Sequence, residues 1–209
     1  MFKSFLIPFA SVILGLACSV DSHCQTKESY QIFSEAARQE SVLFRGRQAR
    51  QYNFLYNGHC YWSSTEFVAG DVSYNDKIYY GVLLNIDAAD NALLTRMSPD
   101  MPAIALEMED VPWCVIGGIR YRNLKMEGYA DAEEGLYEVL SDDGEAFRKV
   151  SKQLANYIGN KNGDGIGYFD PNYKENVHDY FQPSVRYYVI KDGVLRKVSK
   201  KKAMNHASK

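Results

Sequence analysis

The sequence carries no surplus of either charge. Its 24 Lys and Arg against 26 Asp and Glu leave a formal charge of −2. That excludes a generally basic nucleic-acid binder, whose phosphate contacts need a positive excess. Histidine is scarce: beyond residue 24 there are only His59, His178 and His206. They are widely separated and form no HExxH pair. There is no G-x-S-x-G elbow and no P-loop. Gly163-x-Gly165-x-Gly167 lacks the spacing of a dinucleotide fingerprint and follows no parallel-strand pattern. After residue 24 no apolar run is long enough to span a bilayer. Solenoid-length repeats and low-complexity tracts are missing too. Most familiar catalytic constellations are thereby removed.

What is present begins with an export segment. Residues 1–24 read MFKSFLIPFASVILGLACSVDSHC, with Lys3 ahead of an apolar stretch from Phe5 to Val20 that Asp21 ends. This is the layout of a secretory signal peptide. Two exits are compatible with it. Ala17-Cys18 resembles the end of a lipobox, with Gly15 where Leu is usual, and would place a lipid anchor on Cys18. Cleavage near Ser22 or Cys24 would instead release a soluble chain. Cys60 and Cys114 are then the pair certain to lie in the mature domain. In an oxidising compartment they either form a disulfide or remain two separate buried thiols.

The 209 residues, 46% of them hydrophobic, suit one globular domain once the export segment is set aside. Residues 25–50 form a polar leader with a helical candidate at Tyr30 to Arg38 and a local cluster of Arg45, Arg47 and Arg50. From residue 51 onward the chain reads as strands. Asn75-Asp76-Lys77, Ser141-Asp142-Asp143-Gly144 and Lys191-Asp192-Gly193 each separate two β-type runs. Gly117-Gly118 breaks or bulges the run from Trp113 to Leu124. Sixteen Tyr, ten Phe and two Trp favour strands as well. Residues 51–209 are therefore expected to form a single all-β domain, an antiparallel meander barrel or sandwich. A short C-terminal helix is expected over Ser199 to Ala207, with Ser199 as N-cap.

Gly70-x-Val72-x-Tyr74-Asn75-x-x-x-Tyr79 through Val82-x-Leu84-x-x-Asp87-x-x-Asp90-x-x-Leu93 resembles a pattern in exported β-rich proteins of Gram-negative bacteria. Gly135 to Leu140 and Tyr187-Tyr188-Val189-Ile190-Lys191-Asp192-Gly193 are similar to later pieces of the same group. The resemblance covers roughly 52–207, with 159–182 as a loop insertion. It implies a β-fold in the periplasm, at the outer membrane or outside the cell, and it brings no activity with it.

The functional reading from residues is a non-catalytic exported domain that binds a protein, a glycan or another envelope component. Surplus aromatics carry it: Tyr79-Tyr80 and Tyr187-Tyr188 each place one ring on either face of a strand. An outward ring can stack on sugars or apolar side chains. The alternative is a carboxylate-based hydrolase on a β-scaffold. Asp87 with Asp90, Glu107 with Glu109 on one strand face, and Glu133 with Glu134 are its candidate pairs. His59-Cys60 places a base beside a thiol, but neighbours in a strand point apart.

No organic cofactor is implied, but calcium is a candidate. Asn160, Asn162 and Asp164 supply oxygens at the first, third and fifth places of a loop. Gly165 permits the sharp turn, and Ile166 offers its carbonyl. Pro171 stands where such loops carry Glu, so the affinity belongs in the millimolar class of extracellular modules. Calorimetry with millimolar calcium should give more heat on the wild type than on Asp164→Ala. Identical heats would reduce the loop to a set of Asn-Gly and Asp-Gly turns.

Overall fold

Turn chemistry sets the strand boundaries in the computed structural model. It describes residues 41–52, 58–156 and 179–208, together with Glu28, Tyr30 and Ile32. Asn75 and Asp76 both adopt positive φ, 52° and 59°, the requirement of the two-residue turn whose twist matches a hairpin. They join β2 (Val68–Tyr74) to β3 (Lys77–Asp87). Asp192 and Gly193, at 54° and 73°, do the same between β10 (Asp179–Lys191) and β11 (Val194–Val198). Gly117 and Gly118, at 56° and 82°, are a third such turn, between β6 (Trp113–Ile116) and β7 (Ile119–Arg122). The expected break or bulge at this pair is thus corrected to a hairpin, since two consecutive positive-φ glycines satisfy the turn outright.

The remaining strands are β1 (Arg47–Gln48), β4 (Ala92–Arg96), β5 (Ile104–Leu106), β8 (Tyr137–Val139) and β9 (Ala146–Asn156). One helix, α1 (Lys200–Ala207), follows β11. Its N-cap is Ser199, whose hydroxyl accepts from the Lys202 N–H at 3.4 Å, and Ala203, fully buried, anchors it. The fold class is therefore all-β and antiparallel with a short C-terminal helix.

All eleven strands belong to one open sheet in the order β1-β5-β4-β3-β2-β6-β7-β8-β9-β10-β11. Two meanders, β2 to β5 and β6 to β11, share the β2–β6 ladder. Residues 107–112 carry the chain back across the sheet between them. Asn123 pins that crossover by donating to the Met108 carbonyl at 2.8 Å and the Val111 carbonyl at 3.2 Å. The sheet also rolls. Lys152 in β9 donates its backbone N–H to the Ala88 carbonyl at 2.8 Å, although four strands separate β9 from β3 in sheet order. The ladder itself stays open, with β1 and β11 at its edges.

Gly70 explains part of the sequence signature. A Cβ there would lie 2.2 Å from the Val115 carbonyl oxygen, so the β2–β6 approach requires glycine. The register slips beside it, because Gly70 pairs with Val82 but Val72 with Tyr79. The extra residues fall at Tyr80 and Gly81, where φ is 64°. The Asp71 carboxylate accepts the Gly81 N–H at 2.9 Å, which satisfies the donor that such a bulge frees.

Two larger apolar cores line the roll, and a smaller cluster of Ala92, Leu94, Ala103 and Ala105 sits at β4 and β5. Val72, Tyr74, Tyr79, Leu84, Leu93 and Cys114 belong to the larger one, under β2 to β7. Tyr137, Phe147, Tyr188, Ile190 and Leu195 form the second, under β8 to β11. Edge-to-face pairs recur in both, with Trp62–Tyr121 centroids 5.6 Å apart and Tyr137–Tyr188 5.4 Å apart. Each such pair contributes about 0.5–1.5 kcal/mol beyond area burial.

One charge lies inside the second core. Lys149 is 2% exposed, with its ammonium 4.6 Å from the Tyr137 ring centroid and donating to the Glu134 carbonyl. Beside it, Glu133 pairs with Arg186 and accepts the Tyr188 hydroxyl at 2.8 Å. Burial lowers the Lys149 ammonium from 10.5 to about 8. Below pH 8 both folded and unfolded chains are protonated and the desolvation cost stands in full. Between pH 8 and 10.5 the unfolded Lys149 holds more protons than the folded one, so its own contribution to stability rises with pH. The buried thiols and phenols, raised by burial, pull the other way, so the readout is the difference between wild type and Lys149→Met. By urea unfolding that difference should move by about 2 kcal/mol in favour of the wild type between a pH of about 7.5 and about 9.5.

Candidate functional site

The last residues of β3 gather several distant segments. Asp87 is 1% exposed, and its carboxylate works as a bracket. Oδ1 accepts the backbone N–H of Ala89 at 2.8 Å and of Asp90 at 2.9 Å. Oδ2 accepts the Tyr52 hydroxyl at 3.1 Å, and the Cys60 thiol also donates to this carboxylate. The backbone repeats the attachment: Trp62 N–H donates to the Ile86 carbonyl and Ala88 N–H to the Cys60 carbonyl, at 2.8 and 2.9 Å. The Asp87 carboxylate thus closes its own side-chain–backbone turn at Ala89 and Asp90 and additionally holds two segments that lie far from it in sequence.

Above this bracket opens a cleft of about 460 Å³, lined by Arg50, Tyr52, His59, Tyr61, Arg96 and Phe181 among others. Its walls are aromatic. Tyr52 meets Phe181 edge-on at 5.0 Å, and Tyr61 meets Phe67 at 6.1 Å and His59 at 6.0 Å. Its cations differ in how far they are engaged. Arg47 and Arg50 reach the Asp90 carboxylate at 3.1 and 4.0 Å. The cluster of Arg45, Arg47 and Arg50 read from the sequence is thus partly neutralised. Arg96 instead lies flat on Phe67, with its guanidinium carbon 4.2 Å from the ring centroid. Its Nε is buried and has no hydrogen-bond partner among the described residues.

Burial, the Asp87 carboxylate and the Lys152 ammonium shift the titratable groups here. Burial first, and the Asp87 carboxylate second, push the Cys60 thiol up to about 12, so it is protonated near neutrality and a poor nucleophile. Burial and Asp87 likewise raise the Tyr52 phenol. His59 is lowered by burial and by Lys152, whose ammonium donates to the His59 carbonyl at 2.8 Å. His59 therefore faces Lys152 and Tyr61 while Cys60 faces Asp87.

The other expected site residues are dispersed. Tyr79 and Tyr188 are buried in separate cores, and their neighbours Tyr80 and Tyr187 are half-buried on β3 and β10. The expected split of Tyr79 and Tyr80 between two faces is corrected. Both rings pack against Tyr30, at 6.0 and 5.5 Å, and Tyr80 leans on the same core, because the bulge at Tyr80 and Gly81 interrupts the strand alternation. The disulfide is corrected to two free, buried thiols at Cys60 and Cys114. Cys114 pairs with Val72, which pairs with Tyr79. Cys60 is bonded instead at Ala88, nine residues further along β3. At about 3.3 Å per residue that is on the order of 30 Å, against the 4.4–6.8 Å Cα separation a bridge needs, roughly.

Of the carboxylate pairs, Glu107 and Glu109 share no strand face. β5 ends at Leu106, and a 3-10 turn begins at Met108. Glu133 is occupied by Arg186 and Tyr188. The calcium candidates Asn160, Asn162, Asp164 and Ile166 lie outside the described residues, as does the export segment with Cys18.

Sequence reasoning missed Arg96, Tyr52 and Phe181. Nothing local marks them, because the cleft exists only when β4, the leader and β10 come together. No protein-family model, curated protein or solved structure matches the chain. The bracket makes a direct prediction. Asp87→Ala strands a phenol, a thiol and two amides, and should cost about 3 kcal/mol by urea unfolding, whereas Tyr52→Phe should cost about 1 kcal/mol.

Proposed function

We propose that this chain is an exported, non-catalytic β-domain that binds an acidic glycan of the cell envelope in the Tyr52–Arg96 cleft. Export rests on the signal-like residues 1–24, with the periplasm, the outer membrane or the exterior as destination. The observation that carries the binding reading is Arg96. It is held flat on Phe67 in a cleft of ligand size, and its buried Nε has no acceptor among the described residues. An unpaired buried donor is costly, and a carboxylate that reaches it forms the stronger, charge-assisted kind of hydrogen bond. The rings of Tyr52, Tyr61 and Phe181 beside it suit the apolar faces of sugars.

The hydrolase alternative finds less support at this cleft. Asp87, its buried carboxylate, is saturated with structural hydrogen bonds, and Asp90 is bound to arginines. Glycoside cleavage needs a carboxyl group free to give a proton and a second free to attack or to activate water.

Calorimetry on the mature chain with a polyuronate oligosaccharide and with a neutral one of equal length tests the reading. The acidic probe should bind more tightly, and Arg96→Gln should weaken it by about tenfold or more. Equal binding of the two probes, or binding unchanged by Arg96→Gln, overturns the acidic-glycan reading. Release of new reducing ends would replace it with the hydrolase.

A further inference from the structure

A second group of side chains comes together at the opposite meander, where the β8–β9 turn meets the last turn of α1. Asp143 and Glu145 lie in and just after that turn, and His206 comes from the helix. His206 Nε2 stands 3.4 Å from Asp143 Oδ2 and 3.4 Å from Glu145 Oε2. We propose that Asp143, Glu145 and His206 bind a divalent transition-metal ion of the zinc class, clasping α1 to the β8–β9 turn.

The distances favour a shared ion over direct hydrogen bonds. Normal N–H···O bonds span about 2.7–3.2 Å, and Nε2, although buried, has no hydrogen-bond partner among the described residues. Two ligands at about 2.0–2.1 Å from a tetrahedral zinc are separated by about 3.4 Å, the spacing seen on both sides of Nε2. All three ligand atoms lie within 4.8 Å of one another. The two carboxylates, with side chains 51% and 49% exposed, can rotate to close the remaining gap.

The surroundings orient these ligands. The other Asp143 oxygen, Oδ1, accepts the Ser141 hydroxyl at 2.5 Å and the Glu145 N–H at 2.9 Å, which leaves Oδ2 turned to the histidine. Outer hydrogen bonds of this kind fix ligating carboxylates in metal sites. His206 occupies the last turn of α1, where the helix dipole favours positive charge. The nearby cation is Arg122, which donates to the Gly144 carbonyl at 2.7 Å and is itself paired with Glu127. An imidazole with two carboxylates selects zinc-like ions over calcium or magnesium, which prefer all-oxygen shells. With three protein ligands a fourth position is left for water, so the ion is exchangeable.

The rival occupant is a proton: a charged His206 can pair with both carboxylates in the same geometry. Zinc chloride titrated into the full chain at about pH 7.5 separates the two. One equivalent should bind, and both His206→Gln and the double variant Asp143→Asn/Glu145→Gln should weaken it by about tenfold or more. Cobalt(II) on the wild type should give the visible bands of a tetrahedral site, lost in His206→Gln. The imidazole NMR resonances of His206 in the unmodified protein supply a readout that needs no variant. Zinc heats unchanged by His206→Gln, absence of zinc binding by the wild type, or His206 resonances indifferent to zinc would each overturn the proposal. The Arg96 cleft is read by a different probe, so neither result bears on the other.

Discussion

The rolled sheet depends on the junction at the end of β3. There Ala88 donates to the Cys60 carbonyl and receives the Lys152 N–H from β9, while the Asp87 carboxylate collects Tyr52, Cys60 and its own turn. Four strands lie between β3 and β9 in the ladder, so these bonds, and not strand pairing, hold the roll together at this point. A buried carboxylate is expensive unless its lone pairs are filled. Here several donors fill them, two amides from its own turn and the side chains of Tyr52 and Cys60 from elsewhere in the chain. The electrostatic need of one side chain thus specifies the positions of three segments.

That division of labour also places the cleft. Its floor is rigid because it is the junction itself, and its walls come from the leader, β4 and β10. The walls present aromatic faces and guanidinium groups, with Gln48 and Gln51 among them. Arg47 and Arg50 are tied to Asp90, whereas Arg96 is held by a ring.

Local chemistry was legible in the sequence, and distant chemistry was not. Asn75-Asp76, Asp192-Gly193 and Ser199 announce their structures because positive φ and N-capping are properties of a few adjacent residues. Gly117-Gly118 read as an interruption, since two glycines between apolar runs suit a bulge as well as a turn. The choice was made by the register of β6 against β7. Cys60 and Cys114 could be paired only by counting, and strand topology separates them. Nothing beside Asp87 announces its role, because its distant partners Tyr52 and Cys60 lie in other segments, as does Lys152, which bonds the neighbouring Ala88 carbonyl. The same holds for Asp143 and His206, which the folding of α1 over the turn brings together. Of the tyrosine pairs expected to place one ring on either face, Tyr79 and Tyr188 are interior and Tyr80 packs on a core, since a phenol can bury its ring and still place its hydroxyl on a carboxylate, as Tyr188 does on Glu133.

An open sheet also has two borders where another extended chain could add itself, the first step toward fibrous aggregation. This chain limits both. The β1 border is two residues long, Arg47 and Gln48, both exposed, too brief to template a long partner. The β11 border carries Arg196 and Lys197 exposed at its centre, and the helix that follows brings Lys200, Lys201 and Lys202. A second copy approaching along that border meets like charge. The sheet can therefore remain unclosed without becoming adhesive to itself, which suits a chain that folds without the closed ladder of a barrel.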